Sequence, residues 1–94
     1  MAKEEKFQTL HPQGKKGVNI SKAKYDRIKA FILKTIKIHK QISYEKICDL
    51  ALEEVQPTFE GKVIWYVVSV KLDLEARDLI ERVPKTSPHE LRLV

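Results

Sequence analysis

Between Lys62 and Arg77 the chain reads Lys-Val-Ile-Trp-Tyr-Val-Val-Ser-Val-Lys-Leu-Asp-Leu-Glu-Ala-Arg, and two physical preferences pull this segment in opposite directions. Val63, Ile64, Val67, Val68 and Val70 are β-branched and fit an extended strand. The run does not alternate, however, and it is long for a strand of a small domain. Val63, Val67, Val70 and Leu74 recur at helical spacing, and Leu-Glu-Ala-Arg at 74–77 forms a good helix end. The periodicity predicts a helix over Lys62–Arg77 with its valine side inward. Trp65, Ser69 and Leu72 then lie on the opposite face, flanked by Val68 and Asp73.

The rest of the chain supplies what such a helix needs to pack against. Ser21 can cap the free amides of a first helical turn, with Ile20 and Tyr25 as a hydrophobic staple across it. Tyr25, Ile28, Ile32 and Ile36, widened by Phe31 and Leu33, give a core-facing stripe, so a first helix is expected over Lys22–His39. After a short extended link at Gln41-Ile42, Ser43 repeats the start signal with Ile42 and Ile47 as staple and Glu45 in the first turn. The buried face of this second helix, Tyr44–Val55, is Ile47, Leu50, Ala51 and Val55. Pro57 and Gly61 end it. Leu79–Val83 reads as a strand, Pro84–Pro88 as a turn, and the alternating His89–Val94 as the returning strand of a hairpin. Residues 1–20, with Pro12, Gly14 and Gly17 and no periodicity, read as an extended arm that Phe7 and Leu10 could pin to a body spanning 21–94. The expected architecture is α+β: three helices, then a two-stranded hairpin.

Ninety-four residues suffice for one modest core, and the 43% hydrophobic and 33% charged fractions are those of a folded domain. No apolar run approaches the ~20 residues of a membrane span, and the charged start, Met-Ala-Lys-Glu-Glu-Lys, is not that of a secretory signal. A single cysteine makes no internal disulfide, so a cytoplasmic setting is expected.

This order of elements resembles the winged helix-turn-helix superfamily. Leu74-Glu75-Ala76-Arg77-Asp78-Leu79-Ile80-Glu81-Arg82 is similar to the recognition-helix exit and first wing strand of bacterial regulators of the MarR and ArsR type, which commonly read Leu-Glu-x-x-Gly-Leu-Ile-x-Arg. Trp65-Tyr66 with Val70–Arg77, preceded by His11-Pro12-x-Gly14-Lys15, resembles a family of short bacterial proteins of unknown function over nearly the whole chain. The superfamily implies DNA binding, with the third helix in the major groove, the hairpin on the backbone, and a transcriptional regulatory role. Asp78 departs from the pattern by standing where the regulators carry glycine, which puts a local difference at the helix exit.

Charge distribution decides how that implication applies. The net charge is +5, but residues 1–40 hold 11 Lys/Arg against 3 Asp/Glu, whereas 43–78 hold 4 against 8. A groove-reading helix needs donors for base edges, and Trp65, Ser69 and Leu72 offer a hydroxyl and apolar bulk instead. Two readings remain. In one, DNA or RNA is held through its phosphates by the arm (Lys15, Lys16), the first helix (Lys22, Lys24, Arg27, Lys29) and the hairpin (Arg82, Lys85, Arg92). In the other, Trp65 and Tyr66 with Ser69 and Leu72 form a protein interface, a homodimer being its simplest form. Each has a plain counterpart: surface lysines are often only a solvated face, and Trp65 could equally be covered by the arm.

An enzyme is not expected. His11, His39 and His89 have no paired ligand spacing, Cys48 has no cysteine partner and sits beside an apolar stripe as a structural thiol, and no cofactor, metal or small-molecule substrate is implied. Pro12-Gln13-Gly14-Lys15-Lys16-Gly17 lacks the glycine spacing, the hydroxyl residue after lysine and the preceding strand of a phosphate-binding loop.

Overall fold

In the computed structural model, which describes residues 4–94, the chain runs β1 (Lys6–Gln8), β2 (Asn19–Ser21), α1 (Lys22–His39), β3 (Gln41–Ser43), α2 (Tyr44–Glu54), a 3-10 turn (Gln56–Thr58), α3 (Val63–Ala76), β4 (Ile80–Val83) and β5 (Glu90–Leu93). Helical periodicity therefore prevails over β-branched propensity in the valine segment. The reason is burial: Val63, Val67, Val70 and Leu74 all enter the core beside Ile28, Ile32 and Ile36 of α1. Both serine caps form as the sequence predicts. Ser21 Oγ accepts from the Lys24 amide at 3.3 Å, and Ser43 Oγ from the Lys46 amide at 3.1 Å. The staple residues Ile20, Tyr25, Ile42 and Ile47 are all buried. Lys40, at φ 69°, turns the chain out of α1.

The N-terminal segment departs from the expected extended arm, whose first three residues lie outside the described chain. It folds back on itself as an antiparallel β1–β2 ribbon, pairing Phe7 with Ile20. Thr9 closes the ribbon, donating its amide to Val18 O and accepting the Val18 amide at Oγ1, each at 2.8 Å. The strands are three residues long, so no periodicity could have announced them. Gly17 is required at this point, because a Cβ there would stand 2.1 Å from the Thr9 carbonyl oxygen. Of the two expected anchors, Phe7 stacks on Tyr25 at 4.0 Å, but the Leu10 side chain is 46% exposed.

The short link after α1 is also more than a link. β3 joins the C-terminal hairpin to make a three-stranded antiparallel sheet in the order β3-β5-β4, with Ile42 opposite Leu91 and Ile80 opposite Leu93. Ile42, Ile80 and Leu91 point into the helices, and this sheet closes the core at one end. The described residues form an α+β domain of three helices and two small antiparallel sheets. No helix among the described residues is long and apolar enough to cross a membrane.

At the end of α3, Asp78 does the work usually given to glycine. Its φ is 59°, its amide donates to Glu75 O at 3.1 Å, and the next amide, that of Leu79, reaches back to Leu74 O at 3.0 Å. This is a Schellman closure with an aspartate in the left-handed position. The expected local difference at this exit is thus one of strain and not of path. Asp78→Gly should raise the unfolding free energy by about 0.5–1 kcal/mol, and Asp78→Val should lower it by about 1 kcal/mol or more. A urea titration placing glycine below aspartate would contradict this account of the turn.

Candidate functional site

Asp73 organises the surface that carries the candidate residues. Helical spacing puts it three positions after Val70, on the buried stripe, and it is fully buried where the sequence reading had placed it beside the outer face. The correction follows from its partners. Oδ1 accepts the Leu10 amide at 2.8 Å, Oδ2 accepts the Tyr25 hydroxyl, and Arg77 Nε lies 3.0 and 2.9 Å from the two oxygens. Burying a carboxylate is tolerable only with such a set of donors. One carboxylate thereby ties together the arm, α1 and α3. Burial, then the bond to Asp73, pushes the Tyr25 phenol well above its ordinary range, and the bond to Asp73 raises Arg77. The Arg77 guanidinium also lies over Phe7, 5.0 Å from the ring centre, so the arm is clamped twice.

The clamp lays the arm's loop along part of the outer face of α3. Ser69 and Leu72, both half-buried, line a small cavity of about 80 Å³ with Thr9, Leu10, His11 and Lys16. A wider groove of about 460 Å³ runs on between His11, Pro12 and Gln13 of the loop and Leu72, Glu75 and Arg82. Lys15 and Lys16 are exposed on the loop. Toward the start of α3 the arm gives way to α1. Lys24 Nζ sits 5.4 Å from the Tyr66 ring centre and 5.7 Å from that of Phe59. Arg27 donates to Thr58 O at 2.9 Å and to Thr58 Oγ1, with its guanidinium over Phe59. Trp65 is 44% exposed and meets Tyr66 edge to face at 4.9 Å, so the arm does not cover it.

The structure thus brings Lys16, Lys24, Arg27 and Arg82 to the margins of one face, with Trp65, Tyr66, Ser69 and Leu72 upon it. Of these, Arg82 also faces Glu75 at 3.9 Å, and the remaining candidates are differently occupied. Lys22 pairs with Asp26 at 2.8 Å, and Arg92 pairs across the strands with Glu81 at 2.6 Å. Lys29 lies 5.9 Å from the Tyr25 ring centre, and Lys85 is at the hairpin turn with φ 61°.

A second polar cluster, which the sequence reading did not anticipate, lies between α3 and the hairpin. Lys71 is only 3% exposed; its Nζ is 2.7 Å from Glu75 Oε1 in an ion pair, not an aligned hydrogen bond, and 5.3 Å from the Tyr44 ring centre. His89 stacks on Tyr44 at 5.5 Å, and its Nε2 is buried without a hydrogen-bond partner. Arg82 Nε is 3.9 Å from the same Glu75 oxygen. Burial first, then the charges of Lys71 and Arg82, hold the His89 imidazole below its ordinary value, partly offset by Glu75. The only sequence signal for this cluster is Lys71 four residues after Val67, at the edge of the stripe. Among the described residues no three His, Cys, Asp or Glu side chains come together in a way that could hold a metal ion.

Fold and site together define a three-helix α+β domain whose N-terminal ribbon and C-terminal hairpin flank the third helix. The chain belongs to a family of unknown function, DUF6958, whose model matches residues 6–91. No curated protein and no solved structure matches the chain. Family membership carries no activity.

Two outcomes test these contacts. Asp73→Ala should cost about 2–3 kcal/mol, discounted because Arg77 can rehydrate, and should strip hydrogen-exchange protection from the Leu10 amide. A Leu10 amide still protected in that variant would mean the arm is held by other contacts. For His89, a folded pKa below the unfolded one means the unfolded chain takes up more protons as pH falls. Stability should therefore decline from pH 7.5 to 5.5, across the ordinary histidine value of about 6.5, and His89→Gln should flatten that decline. Superimposable profiles for the two proteins would exclude His89 as the source.

Proposed function

We propose that the chain is a winged-helix domain that binds nucleic acid through its phosphates, using the arm, α1 and the hairpin in place of base reading by α3. The order helix, strand, helix, helix, hairpin, with β3 joining β5, supports the winged-helix reading. One observation carries the binding reading. Three separate elements bring Lys16, Lys24 and Arg82 to the borders of an α3 face that has no cation of its own. Because cations around a face act on a polyanion at long range, their placement matters more than the modest net charge. A role in transcriptional regulation is the form this activity takes in the regulators the sequence resembles.

A second reading has its own support, namely the large exposed Trp65 ring, which also suits a protein interface such as a homodimer. Sedimentation separates the two: a dimer that dissociates on Trp65→Ala would favour the interface.

For the first reading, binding to random-sequence duplex DNA should be measurable at 50 mM salt and should weaken steeply at 200 mM. Lys16→Gln, Lys24→Gln and Arg82→Gln should each lower the log–log salt slope by about 0.9 when the residue touches a phosphate. A complete lack of binding to duplex and single strands at 50 mM salt would remove this function.

A further inference from the structure

Resting on that reading, we infer that the preferred ligand is unpaired nucleic acid, one base of which stacks on Trp65. The argument begins with what the arm excludes. A B-form major groove about 12 Å wide accepts a bare helix, whose diameter with side chains is already about 10–12 Å. Here α3 is thickened over Ser69 and Leu72 by the arm's loop, which the Leu10–Asp73 bond holds in place. The C-terminal half of α3 cannot seat in that groove.

What remains open is the first turn and a half. There the aromatic rings form a row anchored in the core. Buried Phe59 meets Tyr66 edge to face at 5.1 Å, Tyr66 meets Trp65 at 4.9 Å, and the row ends at the exposed indole. Two cations lie over the same row, Lys24 over Tyr66 and Phe59 and Arg27 over Phe59, and Lys62 is exposed at the start of α3. Glu60 is the only acidic residue between Pro57 and Ser69. A rigid aromatic ring beside phosphate-binding cations is the arrangement by which proteins hold single strands. Bases inside a duplex have both faces stacked and offer nothing to Trp65, whereas an unpaired base has a face free. A purely apolar protein partner would leave Lys24 and Lys62 without counter-charge.

Trp65 is the only tryptophan, so its emission reports this site alone. The test is a titration with a twelve-nucleotide oligothymidine, a duplex of equal length and inorganic polyphosphate, at 50 and 200 mM salt. Oligothymidine should quench the emission and bind about tenfold or more tighter than the duplex. By anisotropy of labelled oligothymidine, Trp65→Leu should weaken binding about tenfold and Trp65→Phe should retain most of it. Glu60→Gln, a surface change with no bearing on the core, should tighten binding. Duplex bound as tightly as the single strand would overturn the inference while leaving phosphate binding intact. Quenching matched by polyphosphate, or oligothymidine affinity indifferent to Trp65→Leu, would reduce the site to bare charge and overturn it too. No binding of either nucleic acid at 50 mM salt would remove both.

Discussion

A single buried carboxylate holds together the elements around the outer face of α3. Asp73 gives its oxygens to a backbone amide of the arm, a phenol of α1 and a guanidinium one turn further along α3. Apolar contacts could press these elements together, but they would not fix the arm's path, because hydrophobic contact has little direction. Hydrogen bonds to a charged group in a dry setting have both direction and strength. The ribbon is therefore positioned from the inside, through Asp73, although its Leu10 side chain points to solvent. The cations of its loop inherit that position. If the arm were free, Lys16 would be a charge on a tether; clamped, it borders a defined face.

In the function proposed above, the same clamp keeps α3 from reading bases. A helix that enters a groove must be slender and polar on its leading side. Here that side is half-covered and otherwise apolar, while the cations stand around it on neighbouring elements. The ligand we propose, a flexible polyanion, would wrap between α1, loop and hairpin, where a stiff duplex presents only one groove.

Most of the fold was legible because helix signals are redundant. Ser21 and Ser43, their staples and the isoleucine stripe of α1 all name the same boundaries, and the valine spacing settles α3 against its own propensity. The strands of three residues were not legible, since β1, β2 and β3 are too short to show alternation, and β3 exists through a partner distant in sequence. Asp73 was misplaced for a related reason. Its helical spacing from Val70 points inward, but a carboxylate is assigned outward unless its donors are known, and those come from Leu10 and Tyr25, 63 and 48 residues away. Only Arg77, four residues on, was visible locally. The candidate cations were readable as charge, but their grouping around α3 depends on where the ribbon folds back.

The strand order β3-β5-β4 has a consequence for assembly. Among the described residues the middle strand is the last along the sequence, and neither outer strand has another partner. β3 must wait while roughly half the polypeptide is made before Ile42 finds Leu91. The helices can meet earlier, since their contacts are side chain on side chain. Closing the β3–β5 pair spans a long loop, which costs more chain entropy than closing the β4–β5 hairpin, and a chain stalled before Glu90 would lack the strand that joins β3 to β4.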